Sequence, residues 1–291
     1  MAVKVYTKQL VRVLPSIFSV HNHFTRTFGG TLQVRDGVAD SDTFLSLKTI
    51  DADTVIQEYD TGANVAFGSG TGNSSRFGPR QEIKAVDTQV PYESPLAIHE
   101  GVDNVTVNDI ADTVVAERLE KASIAWTEHL NGRFSEVLSE GASETLNGDL
   151  TVDGVSKVFA DARKILLNNK VNKTLTRVAY VSADVYNLLL ESGLTTTAKN
   201  SSANIDEGEI RKFKGFVLEE LADEYFQEDE NIYFAVDNVA IAGVGISMTR
   251  AIDSEDFYGV AIQGVAKYGI YLPEQNKNAV LKAVLTDTPE G

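Results

Sequence analysis

The chain has 291 residues, 43% of them hydrophobic, and its 42 Asp and Glu residues outnumber 26 Lys and Arg residues to give a net charge of −16. This length and apolar fraction are sufficient for one large or two medium folded domains, and the negative charge argues against nonspecific binding to nucleic-acid backbones. Because cysteine is absent, disulfides, thiolate metal sites and cysteine nucleophiles are excluded.

The N-terminal 46 residues show no sustained helical or strand period, and turn signals stand at Phe28-Gly29-Gly30 and Arg35-Asp36-Gly37. We therefore predict an arm that is either loosely docked or ordered by neighbouring chains. Residues 1–18 lack the continuous apolar run of a secretory signal, so we expect a protein that stays in the cytosol when made. No stretch of about 18 apolar residues occurs, which predicts no membrane span.

Residues 47–95 read as a long β-hairpin. Two strand-like runs, Thr49–Glu58 and Glu82–Val90, flank a middle rich in Gly, Ser and Asn, residues 62–80. An isolated two-stranded hairpin has little stability in water. We therefore expect this hairpin to need a partner surface.

Residues 105 to about 140 carry the strongest helical pattern. Asn108 is a candidate N-cap, and apolar residues then recur at spacings of three to five. About 30 residues of helix would span roughly 45 Å. The apolar positions are Ile110, Val114, Leu119, Ala122, Trp126, Leu130, Phe134 and Leu138.

From Gly141 the pattern becomes that of a compact α/β unit. Asp153 is expected to precede an amphipathic helix that ends near Asn169, and Ser182 to cap a second helix. A short buried strand is predicted at Arg177–Val181, and further strands at Lys214–Leu221 and Asn231–Val236.

The chain from about Ser247 predicts a terminal sheet. Tyr258–Leu272 is a long extended run with a glycine every five residues. After a turn at Pro273–Asn276, Asn278–Thr286 is expected to return as its partner strand.

The order of these parts, together with the closing stretch Met248–Leu285 (MTRAIDSEDFYGVAIQGVAKYGIYLPEQNKNAVLKAVL), resembles the Hong Kong 97 fold of tailed-bacteriophage major capsid proteins. The resemblance covers essentially the whole chain and implies an α+β fold. Its implied parts are an N-terminal arm (1–46), an extended β-hairpin loop (47–95), a peripheral-domain spine helix (96–141), an axial α/β domain (142–246) and the C-terminal strands of a peripheral β-sheet (247–291).

The resemblance implies a structural protein of the virion capsid, assembled in the host cytoplasm, that is not an enzyme. Such proteins form hexamers and pentamers that tile an icosahedral shell around double-stranded DNA without reading its sequence. The implied partners are further copies of the chain, a scaffolding protein, a portal protein and a decoration protein. Because the arm-like region begins almost at Met1, we expect a separate scaffolding protein and little or no proteolytic processing.

Other local patterns compete with this interpretation. His21 and His23 have the spacing of a strand metal site but lack a third ligand nearby, so we expect no metal there. Gly68–Gly72 imitates a phosphate-binding loop, but no Lys-Ser/Thr pair and no helix pattern follow, which favours a hairpin tip. The sequence thus predicts no catalytic, cofactor-binding or metal-binding residues.

Five residues are candidate contacts between subunits. Arg76 and Arg80 lie at the predicted hairpin tip, and Glu219 and Glu220 open an acidic cluster that continues to Glu230. This cluster lacks the spacing of a calcium loop, so a solvated loop or contact face is favoured. Trp126 is interpreted most simply as a core anchor of the long helix, and it is the fifth candidate for a contact between subunits.

Two alternatives stay open. An encapsulin-like compartment shell shares the fold, and a DNA-filled particle or a protein cargo distinguishes the two. A soluble α+β enzyme or ligand-binding protein built on residues 150–245 is the other alternative, although no Ser, His and Asp arrangement or cofactor loop supports it.

Overall fold

The computed structural model describes residues 22–29, 33–34, 43–50, 54–62, 65–66, 75–80, 82–83, 85–105, 111–191, 203–204 and 209–286. The described residues form two compact units. One lies within residues 42–91, and the other comprises the described residues before and after it. We call them the hairpin unit and the main unit.

The helices of the described residues are α1 (Ala111–Glu140), α2 (Val152–Asn168) and α3 (Ala183–Glu191), with single 3₁₀ turns at Asp223–Tyr225 and Glu274–Ala279. The strands are β1 (Gln33–Val34), β2 (Thr43–Ile50), β3 (Ala85–Pro91), β4 (Leu96–Asp103), β5 (Glu144–Asp149), β6 (Arg177–Ser182), β7 (Ala203–Asn204), β8 (Glu209–Ile210), β9 (Lys212–Phe213), β10 (Phe216–Leu221), β11 (Ile232–Val236), β12 (Ile241–Asp253), β13 (Gly259–Tyr271) and β14 (Leu281–Thr286). The predicted α+β class is confirmed.

The hairpin unit is built on the antiparallel pair β2 and β3, with Thr43 opposite Pro91 and Ile50 opposite Ala85. The predicted hairpin is therefore confirmed, but the position of its first strand is wrong. That strand is Thr43–Ile50 rather than Thr49–Glu58, and residues 54–62 have no regular structure. The reason is visible in β2, where the half-buried Leu45 and Leu47 alternate with exposed Ser46 and Lys48.

The main unit is organised around a six-stranded mixed sheet in the order β5-β14-β11-β6-β10-β9. Its central strands β6 and β11 are buried along almost their whole length, as expected for strands covered on both faces. Successive side chains alternate between the two faces. Val178 and Tyr180 therefore enter one apolar core, while Ala179 and Val181 enter the other.

Helix α1 covers the first face. The predicted apolar positions Ala122, Trp126, Leu130, Phe134 and Leu138 are all buried, each four residues after the last. A neighbouring stripe of the same helix is buried although it is polar, and Ser135 donates its hydroxyl to the carbonyl of Tyr225. The buried polar stripe consists of Ser123, Thr127, Asn131, Ser135 and Ser139.

No helix in the described part of the chain is apolar enough over a bilayer-spanning length to cross a membrane.

Helices α2 and α3 cover the second face. Phe159 of α2 is fully buried and meets Phe234 edge to face, with 5.0 Å between ring centroids. Helix α2 begins two residues earlier than predicted, because Thr151 rather than Asp153 caps it. The Thr151 Oγ1 accepts a hydrogen bond from the Gly154 backbone N–H at 3.1 Å.

Residues 22–29 are fixed in the first core, so a loosely docked arm is the wrong description of this segment. Phe24 and Phe28 are buried, and the Phe28 ring stacks on Phe134 at 4.3 Å between centroids. The Thr27 hydroxyl is hydrogen-bonded to the Tyr180 hydroxyl at 2.5 Å. The rest of the predicted arm, apart from Gln33–Val34 and Thr43–Ser46, lies outside the described residues, as does the predicted Asn108 cap.

A second, four-stranded sheet of the main unit has the order β1-β12-β13-β4. The long run predicted at Tyr258–Leu272 is confirmed as β13, but the partner predicted for it is wrong. Strand β13 pairs with β12 and β4, whereas β14 crosses to the six-stranded sheet and lies between β5 and β11. The apolar side chains of β14, Leu281, Ala283 and Leu285, fill the core under α2, which requires that position.

Candidate functional site

The described histidines, His23, His99 and His129, are distant in sequence, and two of them have aromatic partners. No cluster of three or more His, Asp or Glu side chains in the described ranges is arranged to hold a metal ion. His23 lies beside the Tyr225 ring, and His129 is hydrogen-bonded to the Tyr268 hydroxyl, whose pKa burial raises to about 12. His21 and the loop Gly68–Gly72 lie outside the described residues.

The hairpin unit exposes an apolar patch between its two strands. Ile56 is 95% exposed and Phe77 is 74% exposed, and groups of large exposed apolar side chains mark candidate contact surfaces. We call this set the hairpin patch. Its members are Val55, Ile56, Tyr59, Phe77 and Ile83.

Arg76 shapes this region from within. Its Nε donates to the Val65 carbonyl at 3.1 Å, and its guanidinium lies 5.9 Å from the centre of the Tyr59 ring. The Tyr59 ring in turn meets Phe77 edge to face at 5.1 Å. Arg80 is exposed at the same end of the unit. The structure therefore gives Arg76 a role inside its own unit, and contacts of Arg76 and Arg80 with another subunit stay predictions.

The predicted acidic cluster separates into an exposed set and two less exposed members. Glu219 is half-buried on β10, and burial raises the pKa of its carboxyl while Arg26 opposes that rise. Glu220 is exposed, and its part in a subunit contact, like that of Glu219, stays a prediction. Four further carboxylates are exposed between β10 and β11, a segment that we call the acidic turn: Asp223, Glu224, Glu228 and Asp229.

Glu230, at the end of that segment, is a structural residue. Its carboxylate accepts hydrogen bonds from Lys282 Nζ at 2.7 Å and Ser139 Oγ at 2.8 Å through Oε1, and from the Tyr233 hydroxyl at 2.6 Å through Oε2. Burial by itself would raise the pKa of the Glu230 carboxyl, but these donors outweigh burial and lower that pKa. The group ties α1, β11 and β14 together and fixes the acidic turn against them.

Trp126 lies in the first core with its side chain 7% exposed, which confirms its interpretation as a core anchor. Its contribution to a subunit contact stays a prediction.

The main unit also contains a basic pocket that was not predicted from the sequence. A cavity of about 510 Å³ opens between the end of α2, the start of β6 and the turn before β10. Four cationic side chains line it, and no carboxylate does: Arg163, Lys173, Arg177 and Lys212. The available signal was the six Lys and Arg residues against one Asp in residues 157–177 of a strongly acidic chain.

Comparisons with known proteins were made with both the sequence and the fold. No protein-family model and no curated protein matches the sequence. The fold matches many solved structures, several of which are phage capsids. A structure from Mycobacterium phage Che8 has a TM-score of 0.63 at 17% identity over 85% of this chain and 86% of that chain. The mature capsid of bacteriophage PhiM1 has a TM-score of 0.64 at 10% identity over 88% of this chain and 86% of that one.

A virus-like particle from Pyrococcus furiosus matches with a TM-score of 0.50 at 14% identity, over 96% of this chain and 99% of that chain. These identities are low, so what the chains share is the arrangement of their elements. The chain has the α+β fold of phage capsid proteins, as the sequence resemblance predicted.

Proposed function

We propose that this chain is the major capsid protein of a tailed bacteriophage, a structural rather than catalytic protein of the virion. Copies of it form hexamers and pentamers that close into an icosahedral shell around double-stranded DNA. The observation that carries this proposal is the hairpin patch, since a chain with a capsid fold exposes five large apolar side chains in the segment between two paired strands. Such a patch is stabilising only when another chain covers it.

We also propose which elements of this chain correspond to the named parts of the Hong Kong 97-like fold. Residues 42–91 act as the extended loop, α1 as the spine helix, the six-stranded sheet with α2 and α3 as the axial domain, and the four-stranded sheet as the peripheral domain. Assembly takes place in the host cytoplasm. The further partners are a scaffolding protein, a portal protein and a decoration protein.

Negative charge is compatible with enclosing DNA. A shell wall that repels phosphates does not hold the packaged genome in place, and the chain reads no base sequence.

The proposal is tested by expressing the chain alone and with the neighbouring genes, and imaging the product by negative-stain electron microscopy. Wild-type protein is expected to form closed particles, and the variant Ile56→Asp/Ile83→Asp to remain as small species, because two charges would be buried in the contact. The matched control Thr54→Asp/Thr61→Asp adds the same charge at exposed polar positions and is expected to assemble. A wild-type chain that stays a stable monomer under all conditions contradicts the proposal.

A compartment shell of the encapsulin type is the second candidate, favoured by the match to the virus-like particle over nearly the whole of both chains. Purified particles distinguish the two. Double-stranded DNA inside a particle with a tail supports the capsid, and a protein cargo in a small tailless particle supports the compartment.

A further inference from the structure

Parallel strands β6 and β10 carry opposite charge at their two ends. Arg177 lies opposite Phe216 at the N-terminal end of the pair, and Ser182 lies opposite Leu221 at the C-terminal end. The basic pocket is at the first end. The acidic turn is at the second, where Asp223, Glu228 and Asp229 line a shallow cavity. Strands of this length separate the two ends by roughly 20 Å.

The basic pocket brings four like charges together, and no carboxylate is among its lining residues. Burial lowers the pKa of Arg177, and the positive charge of Arg163 lowers it further. Across the described part of the chain, no carboxylate forms an ion pair with Arg163, Lys173 or Arg177. Mutual repulsion of this kind is relieved when an anion from outside enters the pocket.

The acidic turn is held in a defined position while its carboxylates point to solvent. The Phe226 ring stacks on Tyr233 at 5.0 Å between centroids, the Tyr225 carbonyl accepts the Ser135 hydroxyl, and Glu230 is fixed by Lys282. A preorganised charged segment loses little conformational entropy when it binds.

We propose that the acidic turn of one copy docks in the basic pocket of the next copy around each ring. This inference rests on the proposed function, because it concerns the contact by which copies assemble. Ring formation needs a heterologous interface, in which two different surfaces of the chain meet, and opposite charges at opposite ends of one sheet satisfy that requirement. DNA is the less suitable occupant, because the net charge of −16 repels a polyanion whereas the acidic turn is present in every copy.

Charge reversal at exposed positions tests the inference. The pocket variant is Arg163→Glu/Lys173→Glu, and the turn variant is Glu224→Lys/Glu228→Lys. Each reverses two of the four charges on its surface and so cancels the net charge there, which removes the attraction between turn and pocket, and each is expected to raise the protein concentration needed for assembly by at least about tenfold. Lys157→Glu/Lys164→Glu and Glu255→Lys/Asp256→Lys are matched controls on exposed positions outside the two surfaces and are expected to assemble as wild type does. Circular dichroism and thermal unfolding establish that all variants fold.

Mixing gives the sharper readout. In an equimolar mixture the unaltered turn of the pocket variant can dock in the unaltered pocket of the turn variant, and every copy takes part in one such contact only when the two variants alternate around the ring. Native mass spectrometry is therefore expected to detect hexamers with three copies of each and no pentamers.

Three results overturn the inference. Reversed variants that assemble at the wild-type concentration show that the two surfaces do not meet, and so does a mixture without rescue. A pocket variant that assembles normally but loses binding of double-stranded DNA, followed by fluorescence anisotropy, assigns the pocket to DNA instead. In all three cases wild-type particles still form and the proposed function stands, whereas a wild type that never assembles removes both.

Discussion

Apolar side chains have opposite roles in two regions of this protein. In strand β11 every residue from Ile232 to Val236 is buried between α1 on one face of the sheet and α2 on the other. Between the strands of the hairpin unit, Val55, Ile56 and Ile83 are mostly in water. The first set stabilises the chain that contains it, at roughly 25 cal/mol per Å² of buried apolar surface.

The second set adds nothing to the stability of its own chain. Its free energy becomes available only when a second chain covers it, which is the property expected of a subunit that folds first and assembles afterwards. Under the proposed function, the comparison separates residues that stabilise the fold from exposed residues that are available for assembly. Three substitutions test this separation.

The largest effect is expected for Ile232→Ala. The Ile232 side chain is fully buried in the core under α2, so its truncation leaves a cavity and lowers the free energy of unfolding by about 2–5 kcal/mol. Urea unfolding of dissociated subunits, followed by circular dichroism, measures the change. A loss below about 1 kcal/mol would mean that the sheet is less tightly packed than its burial indicates.

An intermediate effect is expected for Glu230→Gln, which retains the shape of the side chain and removes the charge that Lys282, Tyr233 and Ser139 surround. The free energy of unfolding should fall by about 1.5–3 kcal/mol, the range for hydrogen bonds to a charged group.

The same residue predicts a pH dependence. The pKa of Glu230 is lower in the folded chain than the value of about 4.3 in an unfolded one. Its stabilisation is therefore fully present above about pH 4.3 and is lost as the pH falls through the folded pKa. Urea midpoints measured from pH 6 to pH 3 should fall more steeply for wild type than for Glu230→Gln, and parallel curves would contradict this role.

The smallest effect on folding is expected for Ile56→Ala. Its side chain is 95% exposed, so the free energy of unfolding should change by no more than about 0.5 kcal/mol. Assembly, measured by light scattering against protein concentration, should nevertheless require more protein than wild type. If this variant destabilised the dissociated subunit as much as Ile232→Ala does, the distinction between the two regions would fail.

Several elements were predictable because their signal is local. The apolar spacing of α1 follows the helical period from Ala122 to Leu138, and all five predicted positions in that range are buried. Strands β6 and β11 were recognisable as short continuous apolar runs. The buried polar stripe of α1 was not predictable, because the hydrogen-bond partners of Ser135 and Ser139 are Tyr225 and Glu230, about 90 residues away in the chain.

The candidate surfaces divide in the same way. The glycine-rich tip and its neighbouring arginines were visible in the sequence, and so was the acidic cluster. The structural role of Glu230 was not visible in the sequence, because the sequence does not reveal that Lys282 Nζ lies 2.7 Å from its carboxylate. The basic pocket was not predictable without the fold either, since its cations come from α2, from the loop before β6, from β6 itself and from β9.

The amino-acid sequence by itself determined that the chain is acidic and cysteine-free, and that it contains a long amphipathic helix, a hairpin and buried strands. These properties follow from composition or from periodicity over a few neighbouring residues. Only the tertiary structure decided that β14 leaves β13 for the six-stranded sheet, that Phe24 anchors the N-terminal segment, and that opposite charges occupy the two ends of β6 and β10. These features depend on which distant segments share a core, and that choice is made by the packing of the whole chain.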